Sequence, residues 1–274
     1  MRIIRVFPTK TNLTPVDNMA FIGDPPMDRP EADEVHVSVT FSWDKKKAER
    51  LVQAWNQYYP IVRLGGGAYG NVTHSYQAGL YNRLGVTYTT RGCNHQCPWC
   101  LVQKREGKLY EFSDFPAGNI IQDNNLLQAS SSHLDKVFSM LSKQHGIIFS
   151  GGIEARLVTP EIADRFRSVS TKTIFLAADT EQSLTPLRKA VKTLGLGRNK
   201  TQCYVLIGFN GETMEHAENR LKEVFIAGAL PYAMLYQPPT EKRMEWAIEW
   251  KRFARKWQRP AIIKSMMKSS TKGA

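Results

Sequence analysis

Gln202-Cys203-Tyr204-Val205-Leu206-Ile207, closed by Gly208 and followed by a helical pattern from Met214 to Ala227, is the stretch on which the fold turns. A short apolar run bounded by glycine and followed by an amphipathic helix reads as one βα unit. The alternation extends in both directions from it. Upstream, strands are expected at 85–90, 119–122, 146–150 and 173–178, with helices at 133–143, 160–167 and 185–194; a last strand is expected at 232–236. Six such units suggest an α/β protein built as a partial (βα)6 parallel barrel or a curved parallel sheet rather than a closed eight-strand barrel, in either form with its chemistry at the strand C-termini.

Before this array lies a shorter pattern. An apolar strand at 35–41, a helix at 44–58 with Ala48, Leu51, Val52 and Trp55 on one face, and a strand at 61–64 predict a single small βαβ unit. Residues 65–70 satisfy G-x-G-x-x-G, but no helix pattern follows and no acidic residue stands about 20 positions on, so a plain turn is expected rather than a dinucleotide site. The expected organisation is an N-terminal unit over 1–70, the parallel array over 71–238, and a basic C-terminal helix and tail over 239–274.

Composition narrows the classes. Hydrophobic residues at 42% and charged residues at 23% are ordinary for a globular chain. No apolar run is long enough to cross a bilayer and the first residues lack a signal-peptide pattern, so the expectation is a cytoplasmic protein with no membrane partner. The sequon Asn71-Val72-Thr73 is then incidental. Four cysteines, three of them within eight positions, make a poor disulfide framework and a good metal or cluster site. The formal charge of +12 is uneven: residues 240–274 hold ten Lys or Arg against three Glu. Such a field attracts phosphate-bearing partners, although a solvated basic tail reads equally well.

The segment Arg91-Gly92-Cys93-Asn94-His95-Gln96-Cys97-Pro98-Trp99-Cys100 places C-x3-C-x2-C directly after the first strand of the array. Three thiolates on one loop can ligate three irons of a cubane cluster and leave the fourth iron open. The competing reading is structural zinc, completed by His95 or by Cys203. His95 lies inside the tight loop, and Cys203 stands in an apolar strand where cysteine usually packs as a small hydrophobe.

This motif resembles the cluster loop of the radical S-adenosylmethionine (SAM) superfamily. Leu206-Ile207-Gly208-Phe209-Asn210-Gly211-Glu212-Thr213 is similar to the fifth-strand I-G-x-P-G-E-T segment of its cobalamin-type and methylthiotransferase-type members, with Asn210 in place of proline. Ile121-Gln122-Asp123-Asn124-Asn125 resembles their second-strand D-D-N, and Glu154-Ala155-Arg156 with Thr159-Pro160-Glu161 their third-strand E-x-R and T-x-E. The N-terminal unit resembles the end of a cobalamin-binding domain, but the chain has no D-x-H-x-x-G loop, so the expectation is a shortened unit without cobalamin.

The resemblance implies a [4Fe-4S] cluster on Cys93, Cys97 and Cys100, with SAM chelating the open iron and yielding a 5′-deoxyadenosyl radical on reduction. It places Trp99, Gln122, Asp123, Asn124, Arg156, Asp179, Gly208 and Gly211 around SAM. Trp99 and the two glycines would meet the adenine, Asp123 and Asn124 the amino group, Arg156 the carboxylate, and Asp179 the ribose. An electron donor such as flavodoxin or ferredoxin is implied. Only Cys203 remains for a second cluster, which favours a single-cluster reaction such as isomerisation.

For the substrate, a nucleotide or nucleic acid is the first expectation, and a peptide or small metabolite the alternative; a non-catalytic metal-stapled nucleic-acid-binding protein is a third class. In the C-terminal segment Trp246, Trp250, Phe253 and Trp257 fall at i, i+4, i+7 and i+11, predicting one helix with an aromatic stripe that packs against the array. Arg252, Arg255 and Lys256 flank it as candidate phosphate contacts.

Overall fold

The computed structural model describes residues 1–70, 77–238, 240 and 242–271. The sequon at 71–73 lies outside them, as does Glu241. The chain divides into two compact units: Met1–Thr87 with Asp114–Pro116 and Pro238–Met244, and Tyr88–Ser113 with Ala117–Gln237 and Glu245–Ala274. Both are α/β with parallel sheets.

In the first unit, strands β1 (Ile3–Phe7), β2 (Ala20–Ile22), β3 (Glu34–Ser38) and β4 (Val62–Gly65) form a parallel sheet in the order β2-β1-β3-β4. Helix α1 (Lys45–Asn56) turns Ala48, Leu51 and Trp55, all fully buried, onto Ile4, Val6, Val35 and Val37. The Trp55 indole N–H is satisfied by the Gly23 carbonyl at 3.1 Å. The single βαβ unit expected from the sequence is therefore corrected to four strands. Its missing pair was hidden because β1 contains Arg5, buried with only 7% of its surface exposed. That guanidinium reads as a surface residue but is neutralised by Asp17 and by the carbonyls of Gly79 and Leu80. The glycine run after β4 is a turn. Gly66 has φ +109°, and a Cβ there would stand 2.6 Å from Val39 N.

The sheet that follows has six strands in the order β12-β11-β10-β9-β8-β5. They are β5 (Val86–Thr87), β8 (Ile120–Ile121), β9 (Ile147–Ile153), β10 (Thr171–Ala177), β11 (Thr201–Ile207) and β12 (Leu230–Leu235), parallel from β8 through β12. Helices α3 (Ser131–Leu141), α4 (Pro160–Ser168), α5 (Leu184–Leu194) and α6 (Met214–Ile226) cross between them. Ser130, Thr159 and Thr213 cap three of these helices by accepting a backbone N–H of the first turn. A short antiparallel ribbon, β6 (Thr90–Arg91) with β7 (Tyr110–Glu111), brackets the cysteine loop and the short helix α2 (Val102–Glu106).

The expected C-terminal helix is corrected as well. Helix α7 begins only at Ile248 and ends at Lys256, and a second helix, α8, spans Pro260–Thr271. Trp246 precedes α7 and folds back over Gly208, its indole N–H donating to the Tyr236 carbonyl at 2.9 Å. Trp257 and Ala254 are buried, and α7 packs on β12. No helix among the described residues is long and apolar enough to cross a membrane.

Candidate functional site

The loop from Gly92 to Lys108 is pinched at its neck. Gly92 has φ +77°, and a Cβ there would lie 2.2 Å from the Lys108 carbonyl oxygen, so only glycine lets the two ends cross. Cys93 N–H then donates to the Gly107 carbonyl at 3.2 Å. Two carboxylates clamp the loop. Glu106 pairs with Arg91, accepts from Gly92 N–H at 3.1 Å, and accepts from the Asn124 side chain. Glu154, just past β9, accepts from Asn125 Nδ2 at 2.8 Å and Gln128 Nε2 at 3.2 Å, meets His95 Nε2 at 2.7 Å, and pairs with Arg156 at 2.8 Å. Asn125 and His95 hold the Glu154 carboxyl below its usual range, against the opposing effect of burial.

Cys93, Cys97 and Cys100 are free thiols and half-buried. Two of the sulfurs are approached by N–H groups: His95 N–H to Cys93 at 3.5 Å, Val102 N–H to Cys100 at 3.5 Å, and Asn125 Nδ2 to Cys93 at 3.9 Å. Burial pushes the Cys97 and Cys100 thiols up, reinforced by the other thiols of the loop and by Asp179. Asp179, past β10, accepts from Leu206 N–H at 3.0 Å and from the Trp99 side chain; burial raises its pKa. Trp99 meets Phe209 edge-on at 5.6 Å between centroids, and Phe209 meets Tyr236 at 4.9 Å. Side chains that follow β8, β9, β10 and β11 thus run to the cysteine loop, with Tyr236 after β12 packed on Phe209; in open parallel sheets generally this is the end at which ligands bind.

The sequence-expected residues fall into distinct places. Trp99, Asp179, Arg156 and Asn124 join the loop network. Asp123 is 2% exposed and braces the strand before the loop, accepting from Thr89 N–H at 2.6 Å, Thr90 N–H at 3.0 Å and the Thr89 hydroxyl; burial pushes its carboxyl up to about 6. Gln122 donates to Ser150 Oγ at 2.6 Å. Gly208 has φ +78° and lies under the Trp246 ring, where a Cβ would stand 2.3 Å from the indole. Gly211 has φ +74° with open space at its Cβ position. Arg252, Arg255 and Lys256 are exposed on α7.

Sequence reasoning missed the clamp residues Glu106 and Gln128 and the glycine at 151, where a Cβ would stand 1.9 Å from the Asp123 carbonyl oxygen. Their partners are 14 to 34 positions away, and no local pattern marks such pairs. The cover of Trp246 over Gly208 had no sequence signal either.

Among the described residues no three His, Cys, Asp or Glu groups are gathered around one point as a single metal ion requires. The donor set bears on this. His95 Nε2 is engaged by Glu154 and lies 3.2 Å from Arg156, and Cys203 is fully buried in β11, so neither stands ready as the fourth ligand of a closed zinc site. In a cubane each thiolate takes a different iron, and three half-buried thiols, of which Cys93 and Cys100 meet N–H donors, are of the donor type that such a group takes. No protein-family model matches the chain. No curated protein matches it.

Proposed function

We propose that the chain is a radical SAM enzyme with one [4Fe-4S] cluster, acting on a nucleotide-bearing substrate by isomerisation or another C–H activation. The observation that carries this reading is the triad Cys93, Cys97 and Cys100, half-buried with N–H groups on Cys93 and Cys100 and no fourth donor among the described residues, where side chains that follow four parallel strands meet the loop. A partial (βα)6 barrel would put the strand C-termini around that loop, which suits the six-stranded order. When bound, the cluster and SAM supply reductive cleavage of a sulfonium bond to a 5′-deoxyadenosyl radical.

The chain's own residues do the rest. Glu106 and Glu154 fix the loop before any ligand arrives, so the thiolates need little reorganisation. Arg156, with 62% of its side chain exposed beside Glu154, offers a guanidinium fork to a carboxylate. Trp99 and Phe209 make an aromatic wall with glycine backbone beside it, suited to an adenine face. Asp123 holds the strand below rather than meeting ligand, and Asn125 Oδ1, buried without a partner next to Cys93, is the nearer free acceptor for an amino group. No cobalamin enters this reading, and a small flavodoxin or ferredoxin would supply the electron.

Anaerobic reconstitution tests it. About four irons and four sulfides per chain are expected, with 5′-deoxyadenosine formed on adding dithionite and SAM, both lost in Cys97→Ala. Tightly held zinc in place of iron, or a cluster that cleaves no SAM, overturns the reading. A cobalamin spectrum in the reconstituted protein overturns its cobalamin-free form.

A further inference from the structure

Strand β10 pairs with β11 only as far as Tyr204. Two residues further along β11, the Leu206 backbone has no strand to meet on that side, and side chains take its place. Asp179 accepts from the Leu206 N–H at 3.0 Å, and Arg220 of α6 donates to the Leu206 carbonyl at 2.6 Å. Arg220 is buried, with 7% of its side chain exposed. Its second amino group pairs with Glu212 at 2.6 Å, and the other oxygen of Glu212 accepts from Gly208 N–H at 2.8 Å. One guanidinium thus holds both ends of Leu206-Ile207-Gly208, the first directly and the second through a carboxylate.

What these contacts fix is the loop from Gly208 to Gly211. Asn210 has φ +52°, a left-handed conformation that few residues with a side chain adopt. The similar radical SAM segment carries proline at this position, and a proline cannot take that φ. The stiffness a proline ring would lend is absent here, and Glu212, held by Arg220, ties the end of the loop back to its beginning instead. The loop presents Phe209 to Trp99 at 5.6 Å and to Tyr236 at 4.9 Å between ring centroids. Trp99 in turn donates to Asp179, the carboxylate that holds Leu206 N–H. The aromatic wall and its supports are therefore one connected set of contacts. Because Glu212 engages Gly208 N–H, that donor is closed to an adenine, and the ring faces remain for it.

We propose that Arg220 is a positioning residue: acting through Glu212, it holds the Gly208–Gly211 loop and so keeps Phe209 against Trp99 as the wall for the nucleoside end of SAM. This rests on the radical SAM reading. Glu106 and Glu154 clamp the cysteine loop without Arg220, so its loss leaves the cluster ligands in place. A contact made equally to bound SAM and to the transition state changes KM and leaves kcat.

Four variants of the reconstituted protein test it. Arg220→Lys keeps the charge and loses the fork. Glu212→Gln keeps one oxygen, which serves Gly208 N–H or Arg220 but not both. Arg220→Met strands the Glu212 charge and is the variant that can fail to fold, whereas Arg220→Met/Glu212→Leu removes both charges together. Circular dichroism melts identify the folded variants. In those, hydrogen exchange read by mass spectrometry should quicken at 206–212 while the strands keep their protection. The KM for SAM in 5′-deoxyadenosine formation should rise about tenfold, with kcat within about twofold and iron content unchanged. The double variant separates positioning from support: it should melt close to the unmodified protein and keep the raised KM. A double variant that recovers KM along with its melting temperature overturns the proposal. So do folded Arg220→Lys and Glu212→Gln proteins whose exchange and KM stay at parent values, and so does a loss of iron that follows the loss of activity. Unmodified protein that takes up no cluster or cleaves no SAM overturns the radical SAM reading and this one with it; protein that cleaves SAM with a KM the variants do not move loses only this one.

Discussion

In the N-terminal sheet Glu34 lies between Arg63 and His36, whose hydrogen bonds hold its carboxyl down at about 2. In the sheet that bears the cysteine loop, Asp123 is sealed against Thr89 and Thr90, and burial pushes it up to about 6. The first sheet places its charges against opposite charges and its apolar groups beneath α1. The second buries carboxylates and thiols at its loops, where desolvation opposes their ionisation. A fold tolerates such groups where they position something, and here Asp123 holds the strand before the cysteine loop while Asp179 holds Leu206 N–H and Trp99.

The strongest test of the contrast is core deletion. Trp55, fully buried under the N-terminal sheet, and Phe166, packed against Phe149 at 4.8 Å and Phe138 at 5.4 Å, anchor separate cores. Replacing either with alanine should cost about 3–5 kcal/mol. Hydrogen exchange read by mass spectrometry should show protection lost around β1, β3 and α1 for Trp55→Ala, and around β9, β10 and α4 for Phe166→Ala. Equal loss across both sheets from one substitution would break the comparison.

Acid should then act on the two sheets in opposite directions. Glu34 has its folded pKa below the usual 4.5, so its contribution is present above about 4.5 and is lost as pH falls toward about 2. Asp123 has its folded pKa above the usual 3.8, so the native state there holds the extra proton between about 3.8 and about 6, and stability declines as pH rises through that window. The span corresponds to about 3 kcal/mol. Asp123→Asn keeps an acceptor for the Thr89 and Thr90 N–H groups and turns an amide donor toward the Thr89 hydroxyl. Protection around β5 and β8, taken relative to the intrinsic exchange rate at each pH, should no longer vary between pH 4 and 6 in that variant, and an unchanged slope would assign the dependence to another group.

Glycine substitutions sharpen the contrast further. Gly66→Ala meets Val39 backbone at 2.6 Å at a φ that disfavours side chains, and Gly151→Ala meets the Asp123 carbonyl at 1.9 Å. Each should cost about 1–3 kcal/mol. The consequences differ, because displacing Asp123 shifts the strand below the cysteine loop, whereas Val39 braces the turn after β4 and packs in the N-terminal core. Iron retained after reconstitution should fall in Gly151→Ala and hold in Gly66→Ala.

Much of this was legible in the sequence where pattern and burial agree. Strand β11 alternates buried and half-buried residues along its whole length, and α5 places Leu187, Ala190 and Leu194 on one buried face, so their periods state the structure directly. Strands β5 and β8 are two residues each, too short for any period. Strand β1 carries a buried arginine whose partners are up to 75 positions distant. The aromatic spacing from Trp246 to Trp257 fits one helix, yet Trp246 gains a ring contact with Gly208 and a hydrogen bond to Tyr236 by leaving it. In the site, the three cysteines are readable because their ligand chemistry is local; the clamps at Glu106 and Gln128 are not, because they are made by long-range pairing.

The smallest effect belongs to a charge pair on the N-terminal unit. Arg50 and Asp24 form a bidentate pair at 2.6 and 3.0 Å, with more than half of each side chain exposed. Water screens both charges, and ordering two side chains offsets much of their attraction. The Arg50 hydrogen bond lowers the Asp24 carboxyl below its usual range, so the pair is detectable even where it adds little stability. In Arg50→Ala the Asp24 titration followed by NMR should move up toward 3.8, while the melting temperature stays within about 1 °C of the parent. A drop of several degrees would mean that exposed pairs hold the N-terminal sheet together, and its contrast with the cysteine-bearing sheet would then have to be redrawn around charge rather than around the Trp55 core.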